Sequence, residues 1–182
     1  MAELSVVRRY ARALFDTANS SSQVDQVEAD LKTVDDVLRT VPRLQRALRA
    51  PTISSQRKKE LLTHTFGTRV GPLTQRFLAL AVTRNREDIL PQVYAEFHRL
   101  SNELRNILPV DVTAAVPMTD EERDALGNAL ARRTGKKVVL RVAIDPRLMG
   151  GVVLRMGDTV IDGSVANKLL QLRARLSAGR TT

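Results

Sequence analysis

The hydrophobic period of this chain changes at Pro109, and that change limits the folds open to it. Before Pro109 apolar residues recur three and four apart, the spacing of one face of an α-helix. After it Val110, Val112, Ala114 and Val116 alternate with Asp111, Thr113 and Ala115, the period of a half-buried β-strand. Neither an all-helical nor an all-β fold accommodates both patterns. The expected class is α+β: an N-terminal six-helix bundle over residues 1–106, then a small C-terminal α/β domain over residues 107–182.

The helical half divides at its breakers. Val7, Tyr10, Ala11, Leu14 and Ala18 form the first stripe, and Asn19 to Ser22 interrupts it. Val24, Val27, Leu31, Val34 and Leu38 form a narrow second stripe, suited to antiparallel packing. A short third helix lies between Pro42 and Pro51. Ser54 or Ser55 caps a fourth, which is expected to bury Leu61, Leu62 and Phe66 and to stop at Gly67. Pro72 opens a fifth, with Leu73, Phe77, Leu78, Leu80, Ala81 and Val82; its apolar face is wider than one core contact requires. A sixth is expected from Asp88 to Ile107, with Leu90, Val93, Phe97, Leu100, Leu104 and Ile107 on one side.

In the second half, Thr119 followed by Glu122 has the capping-box spacing, so a helix is expected from there to about Arg133, ended by Gly135. Val138 to Ile144 alternates again. Val152–Met156 and Thr159–Ile161 flank Gly157-Asp158, which fits a two-residue hairpin loop. A last helix covers about Ser164 to Leu176.

The stretch GDTVIDGSVANKL, residues 157–169, decides whether the chain carries chemistry. A phosphate loop needs two glycines separated by four residues, with lysine directly after the second. Here five residues separate Gly157 from Gly163, Ser164 follows, and Lys168 lies a turn deeper in the helix. A calcium loop needs alternating carboxylates and a glutamate at its twelfth position, and Asp158 with Asp162 does not supply them. The structural reading is stronger: Gly157 turns the hairpin, Gly163 permits close backbone approach, and Asp162 or Ser164 caps the last helix. His64 and His98 are the only histidines and cysteine is absent, so neither a metal site nor a thiolate nucleophile is expected. No catalytic constellation, cofactor site or metal site emerges.

What remains is a surplus of apolar helix surface. Tyr10, Ala11, Ala13 and Leu14 in the first helix and Phe77, Leu78, Ala81 and Val82 in the fifth combine small residues, which let another helix approach, with large ones that wall a groove. The charge, 29 basic against 20 acidic residues, net +9, favours acidic partners. A basic helical-bundle RNA-binding protein of the antitermination type is the alternative reading. Against it, no run of five basic residues exists, and all six aromatics, Tyr10 to Phe97, sit at core spacing in the first 97 residues. The longest uninterrupted apolar run, residues 77–82, is far short of the roughly 20 residues of a membrane span. The first residues lack a secretory leader pattern.

MGGVVLRMGDTVIDGSVANKLLQLRARL, residues 149–176, closely resembles the C-terminal signature of the delta subunit of F-type ATP synthases, the family of the mitochondrial oligomycin-sensitivity-conferring protein. RRYARALFDTA (8–18), LRAPTISSQRKKELL (48–62) and RNREDILPQVYAEF (84–97) resemble further stretches of that family, in order. The family pattern often has a basic residue and a glycine after GSV, where this chain has Ala166 and Asn167. The resemblance implies a non-catalytic peripheral-stalk subunit that keeps the alpha-beta head from turning during proton-driven ATP synthesis. It implies that the N-terminal helices of the alpha subunits bind the groove on the first and fifth helices, and that the C-terminal domain binds the b subunits. Gly157, Asp158, Asp162, Gly163, Ser164 and Lys168 are then the stalk-side motif. The expected location is peripheral, on the cytoplasmic face of a bacterial plasma membrane, reached only through partners.

Overall fold

The computed structural model describes residues 4–157 and 159–178. The chain divides into two compact units, Met1–Ser101 and Asn102–Thr182. The class is α+β.

The first unit is built from α1 (Leu4–Ser20), α2 (Val24–Thr40), α3 (Pro42–Arg49), α4 (Ser55–Phe66) and α5 (Pro72–Thr83). A single 3₁₀ turn (Glu87–Ile89) then leads into α6 (Leu90–Leu104). The predicted stripes bury as the period requires: Val7, Ala11, Leu14 and Ala18 of α1 share one core with Val27, Leu31, Val34 and Leu38 of α2. Phe97 of α6 is wholly buried and meets Phe15 of α1 edge to face, ring centroids 5.5 Å apart.

Breakers act through specific contacts. The Ser54 hydroxyl accepts the N–H of Arg57 and starts α4. The start of α5 is held from a distance, because Gly71 has no side chain with which to cap it. Asp30 of α2, itself buried, accepts the N–H of Gly71 at 2.7 Å and the hydroxyl of Thr74 at 2.8 Å. A carboxylate there also opposes the positive end of the α5 dipole. The bond fixes α5 against α2.

The second unit is a four-stranded sheet in the order β2-β1-β3-β4, formed by β1 (Ile107–Ala114), β2 (Lys137–Ile144), β3 (Val152–Met156) and β4 (Thr159–Asp162). β1 and β2 are parallel, so the chain must cross between them, and α7 (Asp120–Thr134) makes the crossing. The remaining pairs are antiparallel. Val110, Val112, Leu130 and Leu154 form the core of this unit. α7 begins with the full capping box, Thr119 and Glu122 each accepting the other's N–H, and ends at left-handed Gly135. α8 spans Val165–Ala178.

Four expectations are corrected. The sixth helix ends at Leu104, not Ile107: Asn106 takes a positive φ of 54°, which asparagine tolerates, and turns the chain into β1. Leu104 is therefore exposed and Ile107 opens the strand. The strand starts before Pro109 rather than after it. Proline is accommodated because β3 pairs only from Asp111 on, so β1 has a neighbour on one side at that point. Val116 lies past the strand and is exposed, and Leu61 of α4 also faces outward.

Candidate functional site

α1 and α5 wall an open groove of ≈ 200 Å³, lined by Tyr10, Ala13, Leu14, Thr17, Leu73, Arg76, Phe77 and Leu80. Both helices contribute at the same spacing, i, i+3, i+4 and i+7: residues 10, 13, 14 and 17 face residues 73, 76, 77 and 80 across the groove. That is one continuous stripe over two turns of each helix. Leu14 and Phe77 are almost fully buried, while Leu80 keeps 46% of its surface exposed. Ala13 and Thr17 leave the space; the Thr17 hydroxyl donates to the Ala13 carbonyl at 2.8 Å and so is already satisfied. The volume lies below the roughly 300–1,000 Å³ of small-molecule pockets. An open, apolar slot between two such stripes suits one face of another helix.

Of the residues expected at this site, the structure brings Tyr10, Ala13, Leu14 and Phe77 together. Ala11, Leu78, Ala81 and Val82 do not line the groove; they turn into the core with at most 2% of their surface exposed. There they let the helices pack closely. Sequence reasoning missed Thr17, Leu73, Arg76 and Leu80. The signal was available in Leu73 and Leu80, two leucines of α5 that fall off its most buried stripe.

Other surface depressions are more polar. One between α7 and β2 is lined by Arg123, Asp124, Asn128 and Lys137 among others, and one around α4 by Arg57, Glu60 and His64 with Ile53 and Leu61. Among the described residues no group of three or more metal-ligating side chains occurs, and no helix is long and apolar enough to cross a membrane. His98 pairs with Glu28 of α2, which also accepts the Ser101 hydroxyl at 2.7 Å.

The glycine motif of the second unit is a backbone junction. Gly157 takes a positive φ of 58° in the loop between β3 and β4, whose ladder closes at Met156 and Thr159. Asp158 lies outside the described residues. The N–H of Gly163 donates to the Val152 carbonyl at 2.9 Å, and a Cβ at Gly163 would sit 3.0 Å from that same oxygen. Asp162 accepts the N–H of Ser164 at 2.9 Å; the Ser164 oxygen, buried, accepts the N–H of Asn167 at 3.2 Å and caps α8. Ser164, through its side chain and its N–H, holds the Asp162 carboxyl below the usual carboxylate range. Asn167 donates from its side chain to the Asp162 carbonyl at 2.8 Å, so it braces the same turn. Lys168 is exposed on the first turns of α8. Among the described residues of the motif, the bonds of Asp162, Ser164 and Asn167 are spent on the turn, and Lys168 is exposed.

Residues 6–176 match the family model of the ATP synthase delta (OSCP) subunit. The ATP synthase subunit delta of Chlorobaculum parvum is 38% identical over 94% of each chain, and that of Symbiobacterium thermophilum is 36% identical over 97% of this chain and 95% of its own. A chain of the Toxoplasma gondii mitochondrial ATP synthase hexamer superposes with a TM-score of 0.67 at 25% identity, over 93% of this chain and 96% of that one. Nothing in these matches supports the RNA-binding alternative. The chain belongs to the ATP synthase delta (OSCP) subunit family, a non-catalytic component of the peripheral stalk.

Proposed function

We propose that the chain is a connector with one grip in each half. Residues 1–106 hold the N-terminal helix of an alpha subunit in the groove between α1 and α5. Residues 107–182 hold the far ends of the b subunits, with Lys168 as a contact at the rim of the glycine motif. The assembly sits peripherally, on the cytoplasmic face of a bacterial plasma membrane, through these partners alone. Its work is mechanical. While the central rotor turns, the alpha-beta head experiences torque, and a connector that keeps both grips converts that torque into conformational change at catalytic sites elsewhere.

The observation that carries this reading is the groove itself: two stripes of equal spacing, apolar at six of eight positions, with no occupant supplied by the described residues. A peptide of the cognate alpha subunit's N-terminal residues, titrated calorimetrically into the full chain, is expected to bind. Ala13→Trp, which fills the slot from an exposed position, is expected to weaken that binding about tenfold or more, the scale of overpacking a close contact. Unchanged affinity would exclude this groove as the docking site.

A further inference from the structure

The groove has one feature that an apolar helix face does not explain. Arg76 lines it, one turn before Leu80 and one turn after Leu73. Among the described residues no carboxylate pairs with Arg76. Arg9, exposed and one turn before Ala13 on the opposite wall, is likewise without a carboxylate. The acidic residue next in line on α1, Asp16, is taken by Arg12 at 3.1 Å. Among the described residues the slot is therefore lined by one cation without a counter-charge, Arg76, beside an apolar floor, with Arg9 one turn beyond the lining.

Seating a helix on that floor removes water from the Arg76 guanidinium. A cation desolvated without a counter-charge is costly, whereas one that meets a carboxylate gains a charge-assisted, bidentate-capable bond. We infer that the helix filling this groove is acidic along the edge of its apolar stripe, with a carboxylate seated against Arg76, and that Arg76 thereby selects the partner. This rests on the reading of the groove as a helix-docking site. It assigns that site a charge rule: acidic amphipathic helices are accepted, basic ones refused.

The test uses the full chain and the cognate alpha N-terminal peptide. Arg76 is exposed, so Arg76→Gln and Arg76→Glu should both fold, and the helical circular-dichroism spectrum and melting of each variant verify it. Binding is expected to weaken roughly threefold for Arg76→Gln and about tenfold for Arg76→Glu, the scale of a partly exposed interfacial charge pair. Affinity for the wild-type chain should fall with added salt. A peptide in which one carboxylate is replaced by lysine should bind Arg76→Glu better than the unmodified peptide does, and wild type worse. If the peptide binds wild type and Arg76→Glu equally, with no salt dependence, the charge rule is wrong while the groove stands. If the peptide fails to bind wild type at all, the groove reading falls and takes the rule with it.

Discussion

Replacing Phe97 by alanine is expected to lower the unfolding free energy by about 3–5 kcal/mol, the cost of emptying a large aromatic site in a packed core. Phe97 has none of its surface exposed, and its ring stands 67° from that of Phe15 in an edge-to-face pair. The pair joins α6 to α1, and α1 is one wall of the groove. The truncation therefore removes transfer free energy, leaves a cavity, and loosens the helix that presents Tyr10, Ala13 and Leu14. Phe97→Leu keeps much of the volume and is expected to cost less, about 1–2 kcal/mol. Urea denaturation followed by circular dichroism measures both. A loss under 1 kcal/mol for the alanine variant would show that this pair does not anchor the helical core.

The second large effect is expected at Gly151. Its φ is +84°, and a Cβ built there would lie 2.5 Å from the Gly163 carbonyl oxygen and 3.0 Å from the Ser164 Cα. Both are backbone atoms, so no side-chain rotation relieves the clash. Moving the Gly163 backbone would disturb its N–H bond to Val152 and, through Ser164, the cap of α8. Gly151→Ala should therefore destabilise the second unit by about 3 kcal/mol or more, the backbone conformation alone contributing about 1–2 kcal/mol. Gly157 is the control within the same motif. It is also left-handed, but a Cβ there meets nothing within 4 Å, so Gly157→Ala should cost only about 1 kcal/mol. Methyl resonances of Val152 and Leu154, followed through denaturation, report on this unit. Equal, small losses at the two glycines would contradict the view that the motif is a close-packed backbone junction.

The parts of the fold that were readable in sequence are those where one local rule decides. Val7, Ala11 and Leu14 lie on a 3.6-residue stripe, Thr119 with Glu122 satisfies two N–H groups reciprocally, and the alternation from Val138 to Val142 marks one face of a strand. The errors arise where a pattern runs past a breaker. The i, i+3 spacing continues through Leu104 to Ile107, yet Asn106 turns left-handed between them and ends the helix. Asp30 as the distant cap of α5 has no sequence signal, because its partners are 41 and 44 residues away. The groove was half legible for a related reason. α5 is apolar around much of its circumference, so its sequence does not say which residues serve the core. Only packing separates Ala81 and Val82, which are wholly buried, from Leu73 and Leu80, which line the opening. Arg76, a cation among apolar residues, reads as an ordinary solvated side chain until the opposite wall is known.

The central claim is that this chain transmits mechanical resistance and performs no chemistry. ATP-driven proton pumping, measured beside ATP hydrolysis in vesicles reconstituted from the cognate synthase with and without this chain, tests it most directly. The account predicts that omission leaves hydrolysis running but abolishes pumping, that the wild-type chain restores it, and that Ala13→Trp restores it poorly. Pumping that persists undiminished without the chain would contradict the account.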